Sequence, residues 1–294
     1  MKIGLHCNYW NGTGAEKEPF RLLELTAQTG ADSMDFSTAI ALQMTSEERH
    51  KFAKEAQKAN IYLTLNGGIK DAQISHSDPA IRKLGLQQCR KALEACADLN
   101  CSIWSGIIYA PWLGMPDGPL TVSKKEDIWK RAVASLQELC DFAEPLGIDI
   151  CIEIVNRFEA YLINTSADGL RFTADVGRTN IKLLLDVFHM NIEEDRICSA
   201  LSLALKEDKM AHLHASESNR RLPGLVPTDM DWRSIMKTLT DYNYSGSLIL
   251  ESMVLSQAPA AYGFRTWRDL SFPLTEEGLI HNATNSISFL RSLL

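Results

Sequence analysis

The sequence predicts an α/β fold in which eight strands alternate with helices, closed into a (β/α)8 barrel and finished by an additional C-terminal helix. Three observations predict it. Short apolar runs alternate with longer helix-patterned segments along the whole chain. Eight such strand-like runs can be counted, and no low-complexity linker divides them. The length of 294 residues suits one large barrel, so residues 1–294 are expected to form a single domain.

The elements follow in order. KIGLHC (2–7) precedes a helix over about 17–28, and SMDFS (33–37) one over about 46–58. IYLTLNG (61–67) leads to 79–98, SIWSGII (102–108) to 125–145, and IDICIEIV (148–155) to 166–176. IKLLLDV (181–187) is followed by 193–207, MAHLHA (210–215) by 231–241, and SLILES (247–252) by a last helix over about 275–293. Several strands are almost wholly apolar, as expected when both faces of a parallel sheet are covered. An open doubly wound sheet is the rival architecture. Its Gly-rich phosphate fingerprint is missing after the first strand, where NYWNGTGAEK offers only a loose G-x-G.

Composition narrows the function. Hydrophobic residues make up 45%, enough for a sizeable core, and the net charge is −7. An acidic chain without a basic run is poorly suited to nucleic acid or to anionic membranes. The seven cysteines are odd in number and scattered, with no C-x-x-C pair, as for reduced thiols in the cytoplasm. The N-terminus enters a strand directly, without a signal-peptide pattern, and no apolar stretch approaches the ~18 residues of a membrane span.

Active-site groups in such a barrel come from the carboxyl ends of the strands. Strand 5 ends in Glu153, strand 6 in Asp186, strand 7 in His212 and His214, and strand 8 in Glu251. One acid at a strand end is usually a helix N-cap or a surface charge. Four consecutive strands delivering Glu, Asp, His and Glu at one level point to more. Three carboxylates in a low-dielectric site repel one another, and a divalent cation removes that penalty. Oxygen ligands with one imidazole suit Mn2+, and also Co2+ or Mg2+; no cysteine falls there, which argues against structural zinc. His212 and His214 share a strand face, so one of them can be a core histidine.

Other groups cluster nearby. Glu159 lies in the loop after strand 5; Glu217, Asn219, Arg220 and Arg221 lie after strand 7. Arginine there suits carboxylate, phosphate or substrate hydroxyls, or is simply a solvated charge. Trp10, Trp104, Trp112 and Trp267 sit near strand ends or in loops, where tryptophan is more often core than substrate platform. Glu193 and Glu194 are expected to open the following helix, where acidic residues favour the dipole.

CIEIVNRFEAYLINT, LLLDVFHMNIEED, HLHASESNRRLPG and WRDLS resemble the ketose 3-epimerase family, densely over about residues 148–270 and more weakly through the N-terminal half. That family belongs to the xylose-isomerase-like TIM barrels. The resemblance implies a metal held by Glu153, Asp186, His214 and Glu251, with His214 rather than His212 as the ligand. It implies that Glu153 and Glu251 are the acid/base pair, and that Glu159, His189 and Arg220 bind substrate oxygens around the carbonyl. It also implies a homodimer or homotetramer. The chain departs from the family pattern at Asp35, at His6 and Asn8, at Asn66 and Gly67, and in the loop LPGLVPTDMDW. These positions are expected to contact the distal oxygens O4 to O6, with Trp112 as a further substrate contact.

Inverting C3 of a 2-ketose needs one carboxylate to remove the proton α to the carbonyl and another to return one from the far side. Strands 5 and 8 are not neighbours, so their glutamates can flank a substrate. The alternatives are an aldose–ketose isomerase or a keto-inositol dehydratase on the same metal site. An abasic-site endonuclease would need further metal ligands and a basic surface. A non-catalytic sugar-binding protein would not need both glutamates.

Overall fold

The computed structural model describes residues 1–69, 72–114, 116 and 118–294. Eight parallel strands close into a barrel in sequence order, β1 to β8, with β8 pairing back onto β1. The strands are β1 Lys2–His6, β2 Ser33–Ser37, β3 Tyr62–Asn66, β4 Ile103–Gly106, β5 Asp149–Ile154, β6 Ile181–Asp186, β7 Met210–Ala215 and β8 Ser247–Leu250. All eight expected strands are present, most trimmed by one or two residues where the ladder ends.

The helices are α1 Pro19–Gln28, α2 Thr38–Ala41, α3 Ser46–Lys58, α4 Pro79–Asp98, α5 Val122–Ala143, α6 Ser166–Val176, α7 Val187–Glu193, α8 Ile197–Lys206, α9 Trp232–Asp241, α10 Ala261–Phe264 and α11 Glu276–Arg291. Their starts have local causes. Proline opens α1 and α4, where its missing N–H leaves no donor wasted. Thr45 and Glu48 form a reciprocal capping box on α3. The Thr121 hydroxyl accepts from Lys124 N and starts α5 three residues earlier than the apolar pattern indicates. Among the described residues, no helix is long and apolar enough to cross a membrane.

One expectation is overturned. Glu193 and Glu194 do not open a helix. A separate short helix, α7, begins directly at Asp186 and ends at Glu193, and α8 starts only at Ile197. Both glutamates instead hold the loops above β5. Glu193 takes a bidentate contact from Arg157 at 2.8 and 2.7 Å, and Glu194 accepts from Ser166 N at the start of α6.

Alternation along each strand separates two environments. One set, including Leu5, Phe36, Leu65, Ile152, Leu185 and Leu250, joins the large core shared with the helices. The other set points into the barrel. It comprises a small apolar cluster of Ile103, Cys151 and Leu184 and a belt of buried polar residues, among them Ser33, Asp35, Thr64, Ser105, His212 and Ser247. The barrel interior is thus largely polar and hydrogen-bonded, and most of the apolar core lies outside it.

Register brings the ionisable groups to one end. Asp186 pairs with His214 across β6 and β7, and Glu153 is the penultimate residue of β5. Glu251 lies one residue beyond β8, but its N–H still bonds Ala215 O at 3.0 Å, so the ladder continues to hold it.

Gly106 closes β4 with φ +135°. A Cβ there would sit 2.9 Å from Gly67 C and Gly68 N, in the backbone that follows β3. Gly106→Ala is therefore expected to destabilise the barrel by about 2–3 kcal/mol, from left-handed strain and a backbone clash. A lowered urea midpoint at unchanged m-value reads it.

Candidate metal and substrate site

Glu153, Asp186, His214 and Glu251 each turn one ligand atom inward, and these atoms all lie within 4.8 Å of one another. All four residues are buried. Asp186 serves two purposes. Its Oδ1 accepts from Phe188 N at 2.8 Å and caps α7, while Oδ2 faces the cluster. The Asp186 side chain thus caps α7 with one oxygen and turns the other toward the cluster.

The set fits a divalent cation on two observations. The first is the crowding of three carboxylates, which needs positive charge nearby. The second is the orientation of His214. Its Nε2 bonds Asp35 Oδ2 at 2.8 Å, so Nδ1 faces the cluster, 3.3 Å from Glu251 Oε2 and 3.8 Å from Glu153 Oε1. That Nδ1 is buried and makes no hydrogen bond. Oxygen-rich donors with one imidazole suit a hard or borderline divalent ion.

Positive charge from the chain itself already reaches the cluster. Arg220 Nη1 lies 2.8 Å from both Asp186 Oδ2 and Glu251 Oε2. Burial would raise the Glu251 carboxyl, but Arg220 and His214 outweigh it and hold Glu251 well below its usual range. Burial together with the Glu251 and Asp186 charges pushes Glu153 well above its usual range. Burial lowers His214, but Glu251 and Asp35 outweigh it and hold the imidazole well above its ordinary value.

Glu153, Glu251 and Arg220 also line a cavity of about 730 Å3, with Asp186 and His214 buried behind them. Glu153, Glu159, His189, Arg220 and Glu251 lie at one end, and Leu42, Ile69, Ile107, Trp112, Leu113 and Phe264 give the rest an apolar wall. His189 stands on α7. Asn156 donates to its Nδ1 from backbone N at 3.2 Å and from Nδ2 at 2.7 Å. Because Nδ1 accepts, Nε2 carries the hydrogen and presents a donor toward the site. The 3.3 Å approach of Arg220 Nη2 to that Nε2 is then a contact between two donors and not a hydrogen bond. Arg220 stacks over the Phe188 ring at 3.9 Å, and its backbone is left-handed at φ 67°. The Trp112 indole N–H donates to Glu159 Oε2 at 2.8 Å and so sets the orientation of that carboxylate.

The structure sorts the remaining sequence candidates. Asn66, Asn8 and Gly67 line the cavity. His6 does not; it lies behind Asn66, with Nε2 3.0 Å from Asn66 Oδ1 and its ring edge-on to His214. Asp35 does not approach the distal end of the cavity. It is sealed inside the barrel, bonded to His212 and His214, because its strand position points inward below the mouth. His212 is the core histidine of the H-x-H pair. The loop LPGLVPTDMDW also stays out of the wall. It wraps around buried Glu217, which accepts from Gly224 N, Thr228 Oγ1 and Trp232 Nε1. Trp10 and Trp104 are core, bonded to Thr26 and Thr38, while Trp267 is exposed and packs on Tyr262. Sequence reasoning missed Asn156, Thr38, Leu42 and Phe264. Asn156 sits inside the quoted run EIVNRFE, but nothing local shows that it meets a histidine 33 residues on.

A family model described as a xylose isomerase-like TIM barrel matches residues 23–269. A D-psicose 3-epimerase of Agrobacterium fabrum is 34% identical, covering 100% of this chain and 99% of that protein. The crystal structure of a D-psicose 3-epimerase in the presence of D-fructose superimposes with a TM-score of 0.90 at 32% identity, covering 100% of this chain and 99% of that one. The crystal structure of the D-psicose 3-epimerase of Clostridium cellulolyticum H10 with D-tagatose also gives a TM-score of 0.90, at 30% identity and coverage of 100% and 99%.

The crowding has a measurable sign. Glu153 has an ordinary value of 4.5 and a raised folded value, so between the two the native state binds more protons than the unfolded chain. Stability from this group therefore falls as pH rises through that window. In chelated protein, Glu153→Gln is expected to raise Tm, by about 1.5 °C for each kcal/mol of repulsion relieved. The advantage over the parent should grow from pH 5 upward and shrink when a divalent cation is added. Calorimetry across pH, with and without the cation, measures both.

Proposed function

The chain belongs to the xylose isomerase-like TIM barrel family and, within it, to the ketose 3-epimerases; from that membership we propose that it inverts C3 of free ketoses with a divalent cation, Mn2+ foremost and Co2+ or Mg2+ as alternatives. The observation that carries the reading is the placement of Glu153 and Glu251. They arrive from β5 and β8, strands separated by two others, and both reach the floor of one cavity. Two carboxyl groups from different sides of the barrel can address opposite faces of one carbon.

The cation, when held by Glu153, Asp186, His214 and Glu251, supplies Lewis-acid stabilisation of the negative charge that develops on the substrate oxygens. The chain's own groups do the rest. One glutamate oxygen takes the C3 proton, and the electron pair of that C–H bond moves toward the C2 carbonyl. The other glutamate returns a proton to C3 from the opposite face, and the carbonyl re-forms. The His189 Nε2–H and the Arg220 guanidinium are donors for the oxygens around C1 and C2. Glu159, oriented by Trp112, accepts from a substrate hydroxyl.

The apolar distal wall supports a free sugar over a phosphorylated one. Among the described residues that line the cavity, Arg220 is the only lysine or arginine, and Asp186 and Glu251 already engage it. D-fructose/D-psicose, D-tagatose/D-sorbose and ketopentoses are the substrates of this reading. Assembly as a homodimer or homotetramer belongs to it too, supported by the exposed rings of Tyr262, Trp267 and Phe272.

The purified protein with Mn2+ is expected to interconvert D-fructose and D-psicose, with solvent deuterium entering only at C3, and to lose activity in EDTA. Glu251→Gln should lower kcat by about 10²–10⁴-fold. An aldose product, or loss of water from the sugar, would point instead to an aldose–ketose isomerase or a keto-inositol dehydratase on the same site. Chromatography of products from a panel of ketohexoses, ketopentoses and their phosphates separates these outcomes.

A further inference from the structure

Below the ligand cluster lies a carboxylate that the reaction as described does not use. Asp35, on β2, has no solvent exposure. It accepts from His212 Nε2 at 2.9 and 3.0 Å, from His214 Nε2 at 2.8 Å, and from the Thr64 hydroxyl. Both histidines are on β7, so the bonds cross the barrel interior. That position in a barrel is usually filled by branched apolar side chains. A buried charge is weak evidence for stability, because a well-packed apolar set of equal volume serves the fold as well or better. Its presence calls for a reason beyond the fold.

The division of its bonds supplies one. An ion pair that only held the barrel together would need His212 alone. Asp35 also bonds the imidazole whose other nitrogen faces Glu153 and Glu251. A carboxylate on Nε2–H keeps the hydrogen on that nitrogen and leaves the Nδ1 lone pair for a cation. It also fixes the ring plane and makes the ligand more basic. We propose that Asp35 is a positioning residue for the metal ligand His214, acting through a carboxylate–imidazole bond that decides which ring nitrogen faces the cation. Thr64 and His212 hold the Asp35 carboxylate in turn. The inference rests on the metal-site reading above.

Asp35, His212 and His214 could themselves be taken for a second cation site, since their donor atoms also cluster. Hydrogen bonds already account for the separations of 2.8–3.0 Å, and the group is sealed from solvent. One cation per chain is therefore expected.

The test is Mn2+ titration of chelated full-length protein by calorimetry. The parent should bind one equivalent. Asp35→Asn, which keeps the shape and removes the charge, should bind Mn2+ about 10–100-fold more weakly. At saturating Mn2+ its kcat should recover to within a few-fold of the parent. Asp35→Glu should fall between the two, and it supplies the test if the asparagine variant does not fold. Thr26→Val is the structural control. It removes the buried bond from Trp10 Nε1 to Thr26 Oγ1 at 3.1 Å, and should lower Tm without changing Mn2+ affinity. The proposal is overturned if a folded Asp35 variant binds Mn2+ within twofold of the parent, or if the parent binds two equivalents with the second lost in that variant. A parent that binds no divalent cation would sink the metal-site reading and this proposal with it. An intact metal site with indifferent Asp35 variants sinks this proposal alone.

Discussion

Three carboxylates and an imidazole within 4.8 Å of one another, all buried, cannot keep their negative charge without a positive partner. Much of the surrounding architecture answers that constraint. Arg220 reaches in from a left-handed backbone position to contact Asp186 and Glu251 together. Glu153, with no arginine of its own, is displaced toward its protonated form. His214 is bonded from behind by Asp35, which leaves its free nitrogen on the crowded side. A divalent cation held by these four residues would answer the same constraint, since the donor set of three carboxylates and one imidazole could hold one.

The barrel makes such crowding tolerable by keeping stability and chemistry on different faces of the same strands. Leu183 and Leu185 belong to the core shared with the helices, whereas Leu184 and Asp186 point into the barrel. Each strand thus joins the apolar layer through one set of residues and presents polar groups through the other. Hydrophobic burial outside the barrel offsets the desolvation of ionisable groups inside it. The interior polar belt then serves as a scaffold of hydrogen bonds beneath the ligands.

Orientation of the groups around the cluster depends on contacts between loops. Asn156, just after β5, sets the tautomer of His189 on α7, and Trp112, from the loop after β4, holds Glu159. Arg157 and Glu193 tie the β5 and β6 loops together on the outside of the same site. Glu217 fixes the loop that carries Arg220. His189 and Glu159 are in this way oriented by partners on neighbouring loops, and Arg220 by its own loop, as preorganised sites require.

Read alone, the sequence determined the strand count, the closed barrel and the four residues at the ends of consecutive strands, because hydrophobic alternation and strand-end chemistry are local signals. The resemblance carried by LLLDVFHMNIEED and HLHASESNRR settled which histidine of the pair to favour. Only the tertiary structure decided the rest. Asp35 read as a distal sugar contact and is instead bonded to His212 and His214 inside the barrel; His6 lies behind Asn66; Glu193 and Glu194 are loop clamps instead of a helix start. The physical reason is the same in each case. A strand's period tells which face a residue takes, but not what stands opposite it across a barrel, and the partner of Asp35 lies 177 residues away.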